Sequence, residues 1–146
     1  MTTQSKPDPR IRHHLSVGWT TIALAALFGL GLEAMHGLKL ASYLDLDAAT
    51  RRHMWTLAHA HGTLLGLLHL GVALTLKAAP ELLADRSLRL AARLLLAATL
   101  LMPAGFFLGG VWYYAGDPGL GILLVPLGAF ALIAALVLLA LASWRP

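Results

Sequence analysis

Four long apolar runs decide what this chain can become. They extend from about Leu15 to Met35, Met54 to Leu76, Leu90 to Tyr113 and Leu120 to Ala142. A hydrocarbon core about 30 Å thick is crossed by roughly 20 residues of helix, and each run is long enough. Backbone groups in lipid must be satisfied internally, so only helices or a closed barrel can cross. The runs are rich in Leu and Ala and do not alternate, which selects helices. Short connections make consecutive spans neighbours. The expected fold is an all-α integral membrane four-helix bundle with antiparallel, up-down topology. The composition agrees: 58% of the 146 residues are hydrophobic and 12% charged, against about 45–50% and about 25% in soluble domains. A soluble globule and a disordered chain are both excluded.

The first run reads as a permanent span. It is too long for a signal peptide, and Glu33, His36 and Lys39 stand where a cleavage site would follow. Basic residues set the orientation. Lys6, Arg10, Arg12, Lys77, Arg86, Arg89, Arg93 and Arg145 fall on one side; Lys39, Arg51 and Arg52 fall on the other. Eight against three places both termini in the cytoplasm. Residues 1–14 are expected as a polar tail and residues 143–146 as the other cytoplasmic end. Leu38–Arg52 reads as a short amphipathic helix on the outer surface, and Asp117-Pro118-Gly119 as a turn. Trp19, Trp55, Trp112, Tyr113, Tyr114 and Trp144 lie near span ends, as an aromatic belt does. The net charge of +4 then reflects orientation. No basic patch is interleaved with aromatics, so no nucleic-acid partner is expected.

Polar side chains from four regions converge on the outer half of the bundle. Glu33 and His36 end the first span, His59 and His61 begin the second, Met102 and Gly105–Gly110 lie late in the third, and Asp117 precedes the fourth. At about 100° per residue, Glu33 and His36 share a face, whereas His59 and His61 are about 160° apart. One of the latter faces the Glu33/His36 stripe and the other faces elsewhere. An acidic group within a span needs a partner: a histidine, Arg51 or Arg52, or a metal. Glu33-x-x-His36 has the spacing of carboxylate-bridged metal sites in bundles, which require two such motifs; this chain has one. His69 falls between His59 and His61 in angle but about 15 Å deeper, and reads as a satisfied packing residue, with a second-site ligand or relay member as alternatives. His13, His14 and His53 read as membrane-edge residues with surface roles. Gly62/Gly66 and Gly105/Gly109 allow close helix packing, within the chain or against a second copy or membrane partner. Pro103 and Pro126 can kink their spans and free carbonyls.

The chain has no cysteine, which excludes disulfides, thiolate metal sites and thiol nucleophiles. Neutral imidazole suits Cu, Fe, Zn and haem iron. Glu33, His36, His59 and His61 are therefore the expected metal ligands, and His36, His59 and His61 the candidate ligands of a haem b. Met102 is a thioether candidate, though methionine in a span usually fills space. Nucleotide and serine-hydrolase motifs are absent, and no catalytic residue is assigned. The leading expectation is a metal- or haem-binding bundle engaged in redox or metal-dependent chemistry with a small or lipid-soluble partner. The rivals are a proton or metal-ion transport component and a structural or assembly subunit.

Two stretches resemble known families. Met35-His36-Gly37-Leu38-Lys39 resembles the A-H-G-L-K element of the YwdK-like family of small four-span membrane proteins, as do the chain's length, span spacing and Pro/Gly-rich start of the fourth span. That likeness implies a four-helix bundle and no assigned activity; Glu33 and the histidine-rich second span depart from the family pattern. Arg51/Arg52 followed by His59-x-His61 and Gly66 is similar to the second helix of cbb3-type haem–copper oxidase catalytic subunits, where an H-x-N-x-x-x-x-G run carries a low-spin haem ligand. On that likeness His59 inherits the ligand role, His61 replaces the asparagine and Gly66 keeps the glycine. The further spans and copper-site histidines of those subunits are missing.

Overall fold

Asp8 and Pro9 start the first helix earlier than the apolar run alone implies. The Asp8 carboxylate accepts the Arg10 N–H at 2.7 Å, and Pro9 occupies the first helical turn. This pairing caps a helix cleanly, because proline lacks an N–H that would be orphaned there anyway. Helix α1 (Pro9–Gly37) therefore takes in six residues, from Pro9 to His14, that were expected in the tail; residues 1–7 of that tail lie outside the described residues. The computed structural model describes residues 8–84, 86–114 and 116–144, so Arg145 is also outside. The helix ends where Lys39 adopts a left-handed φ of 52° and the Leu40 N–H turns back to the Met35 carbonyl at 3.1 Å.

The segment expected as one amphipathic helix is broken. It forms a single-turn helix, α2 (Ala41–Leu44), and a 3-10 turn at Leu46–Ala48. The reason lies in the two arginines that follow. Arg51 donates to the Ser42 carbonyl at 2.9 Å, and Arg52 to those of Tyr43 at 2.6 Å and Asp45 at 2.8 Å. These bonds tie the carbonyls of the connection to the start of α3 (Ala49–Ala78), the Asp45 carbonyl also accepting the Ala48 N–H at 2.9 Å. A second 3-10 turn at Pro80–Ala84 leads to α4 (Arg86–Val111), and a third at Leu120–Leu123 leads to α5 (Leu124–Ser143). Pro126 sits in the first turn of α5, where its missing N–H breaks no helical bond, so it does not kink that helix. Pro103 is different: it lies inside α4 and leaves the Thr99 carbonyl without its helical donor. The described residues are helical apart from connections and one isolated bridge between Tyr114 and Asp117.

The long helices pack in chain order, α1 on α3, α3 on α4 and α4 on α5. Glycines set the closest approaches. A Cβ at Gly18 would lie 2.9 Å from the Gly66 carbonyl oxygen, and one at Gly66 3.0 Å from that of Gly18; α1 and α3 touch there backbone to backbone. Gly62 meets Ala25 of α1, Gly105 meets Val125 of α5, and Gly109 meets Ile122 and Pro118. Both small-residue pairs thus lie in contacts within the chain. The middle of the core joins Leu65, Leu95, Ala98, Met102 and Ala135 from α3, α4 and α5, which makes Met102 a packing residue. All four long helices are long and apolar enough to cross a membrane. The most apolar, α5, is the least enclosed, with 11% of its spanning window buried. Water would drive the opposite ordering, because burial follows apolarity in an aqueous solvent.

Candidate functional site

The buried polar centre is a pair of histidines on neighbouring helices. His14, in the second turn of α1, is 2% exposed, and His69 on α3 is 0% exposed. Their Nδ1 atoms stand 2.8 Å apart. His69 Nε2 lies 3.2 Å from the Thr99 hydroxyl on α4, which itself donates to the Leu95 carbonyl at 2.8 Å. Four groups from three helices form one continuous chain.

The chemistry of the Thr99 end fixes the tautomers. The hydroxyl has one proton, and the Leu95 carbonyl takes it. Toward His69, Thr99 can then only accept, so His69 Nε2 carries its proton. In neutral His69 the Nδ1 is bare and accepts from His14 Nδ1–H. Neutral His14 is left with a bare Nε2. Among the described residues no fully enclosed side-chain nitrogen or oxygen lacks a partner. His14 Nε2, with no partner among those residues, must therefore reach open space.

That space is a cavity of about 420 Å³ at the end of the bundle where α1 and α4 begin. His14 lines it together with Arg10, His13, Arg89 and Arg93, over walls that include Val72, Leu76 and Leu95. Thr99, at the other end of the chain, lines a second cavity of about 310 Å³ between α1, α3 and α4, along with Thr21, Gly62 and Pro103. The carbonyl freed by Pro103 belongs to that same Thr99. His69 lies between a histidine of one cavity and a hydroxyl of the other.

The outer-half residues are distributed differently. His59 is half-buried, and its Nδ1–H donates to the Ala25 carbonyl at 2.8 Å, with the ring against Gly29 of α1. His61 donates to the Leu57 carbonyl of its own helix at 2.8 Å and packs on Phe106 of α4, with ring centroids 4.7 Å apart. The two rings thus face different helices. Glu33 and His36 are exposed. Glu33 and His59 line one cavity of about 310 Å³ with Tyr43 and Thr56; neither His36 nor His61 lines it. Among the described residues no three His, Asp or Glu side chains come together as a metal-binding group. Arg51 and Arg52, weighed as partners for Glu33, are engaged with backbone carbonyls instead.

Arg51 also stands over Trp55 and Tyr113, 5.5 and 5.1 Å from their ring centroids. Trp55 stacks on Phe107 at 5.7 Å and gives its indole N–H to the Phe107 carbonyl. It belongs to a part-buried aromatic cluster with Tyr43, Phe28 and Phe107, whereas Trp19, Trp112, Tyr114 and Trp144 are exposed in the manner of a belt. His13 and His53 are exposed, as edge residues should be. His14 is not: it is the buried partner that the sequence reading placed at the surface. The signal that marks it is Asp8-Pro9, an N-cap followed by proline. Starting the helix there brings His14 inside the bundle, to the depth that His69 reaches from the far end of α3.

No family model, curated protein or solved structure matches the chain.

Proposed function

We propose that this chain is an antiparallel four-span membrane protein that relays protons between the cavities at His14 and at Thr99. One observation carries the proposal: the buried 2.8 Å contact between His14 Nδ1 and His69 Nδ1. Each ring uses its Nδ1 toward the other and its Nε2 away from it. A proton taken up at His14 Nε2 releases the Nδ1 proton to His69 Nδ1. His69 then passes its Nε2 proton to Thr99, and Thr99 turns from the Leu95 carbonyl to give up its own in the second cavity. The rings finish in the opposite tautomers and reset by turning over. Imidazole suits this role because both nitrogens exchange protons under ordinary conditions, and ionisable groups inside spans mark such paths.

The test is proton flux in proteoliposomes carrying a pH-sensitive dye and an imposed pH gradient. Wild-type protein should conduct. Thr99→Val keeps the shape of the side chain but removes the hydroxyl, and His69→Phe interrupts the pair. Each should reduce flux by about a hundredfold or more, the lower range of a positioned proton-transfer group. Flux unchanged in folded Thr99→Val and His69→Phe would overturn the relay.

A second reading is supported by His59. Its Nδ1–H is tied to a backbone carbonyl, the arrangement that orients a metal-binding imidazole. Its Nε2 is left for a ligand, and Glu33 lines the same cavity. On this reading Cu, Fe, Zn or a haem iron binds in the outer half, and bound-metal analysis with visible spectra decides it.

A further inference from the structure

The first cavity has a chemistry that selects its occupant. Arg89 and Arg93 are exposed at its rim and stand four positions apart on α4; Arg10 and His13 join them from α1. No carboxylate is among the described residues that line it. The walls are aliphatic, from Val72, Leu76, Leu88, Leu95, Leu96 and Leu139. Deep in the cavity, His14 offers a bare Nε2 as a proton acceptor. An apolar tail, a negative headgroup and a transferable proton are the three properties that match these surfaces.

We propose that the cavity binds a long-chain carboxylic acid as the proton donor to the relay. The acid's O–H gives its proton to His14 Nε2, forming a carboxylate and passing the relay's proton onward through Nδ1. Guanidinium groups hold carboxylates with paired, charge-assisted hydrogen bonds, so the arginines stabilise the anion that remains. The alkyl chain lies along the leucines. A phosphodiester lipid would satisfy the arginines but brings no proton for His14. The role of the acid as donor rests on the relay reading; its binding does not.

The experiment measures dodecanoate binding to the protein in phosphatidylcholine nanodiscs, without a pH gradient, using acid labelled isotopically at its carboxyl carbon. One molecule should bind per chain, with the carboxyl resonance at its ionised position. Arg89→Gln with Arg93→Gln should weaken binding by roughly tenfold or more, as expected for charge-assisted contacts. Ala92→Phe, which fills the cavity from α4, should abolish it. Thr99→Val should leave it unchanged, so a failed relay and a failed site give different results. Equal competition by dodecanol would overturn the proposal, because the charged rim would then contribute nothing. So would binding indifferent to the arginine and Ala92 changes. Displacement of dodecanoate by phosphatidylglycerol, dependent on Arg89 and Arg93, would also overturn it and assign the cavity to a phospholipid.

Discussion

His14, His59, His61 and His69 are four imidazoles of one chemical type in two kinds of bonding situation. His59 and His61 each spend an N–H on a backbone carbonyl, so each holds one fixed tautomer. His14 and His69 spend their Nδ1 atoms on each other, so a single proton shift changes both. Ligand chemistry belongs with the first kind and proton transfer with the second. At His59 this has a measurable consequence. If its Nε2 is a ligand, wild-type protein supplied with Cu, Fe, Zn or haem should retain one of them in proportion to chain. His59→Ala, which removes the ligand itself, should lose it. Retention by His59→Ala equal to wild type would remove the metal reading. The Glu33 and His59 level was legible from sequence because both residues interrupt apolar runs at similar depth. The His14–His69 contact was not, because hydropathy alone starts the first span at Leu15 and leaves His14 outside it. The cap that corrects this is made of polar residues, which a hydropathy window discounts.

At the scale of elements, the contact between α1 and α3 is what brings His14 to His69. Gly18 and Gly66 set its closeness, since each would push its Cβ against the other's carbonyl oxygen. Gly18→Ala should therefore separate these helices, at a cost of about 1–3 kcal/mol for overpacking. Gly31, on the same helix, has nothing within 4 Å of an added Cβ. Gly31→Ala should stabilise the helix slightly, by about 0.5–1 kcal/mol. Thermal unfolding in detergent compares the two directly; equal effects would mean that α1 does not depend on this contact. The glycine spacing was visible in the sequence for α3, as Gly62 and Gly66, but its partner was not. The helix that packs there uses Gly18 and Ala25, which form no recognisable motif. Likewise the long helices follow from apolar length, whereas the broken Leu38–Arg52 connection follows from arginines bonding backward to carbonyls, a contact no periodicity encodes.

At the scale of the molecule, the proposed relay implies a definite orientation of the chain in a membrane. The basic residues around the first cavity, Arg10, Arg89 and Arg93, belong to the larger of the two charge groups and should face the cytoplasm. On the same orientation the Glu33/His59 cavity, which is not part of the relay, should lie toward the opposite face. An up-down path through four spans further requires that Ser42 and Asp117 share one side and Glu81 and Ser143 the other. The chain contains no cysteine, so single-cysteine variants at these four positions can be read without background. A membrane-impermeant thiol reagent applied outside intact cells should label Ser42→Cys and Asp117→Cys. It should reach Glu81→Cys and Ser143→Cys only after the membrane is opened. Labelling of all four from outside would contradict insertion. The reverse pattern would keep the four spans but place the arginine-rimmed cavity outside, so a proton entering at His14 would come from the external solution.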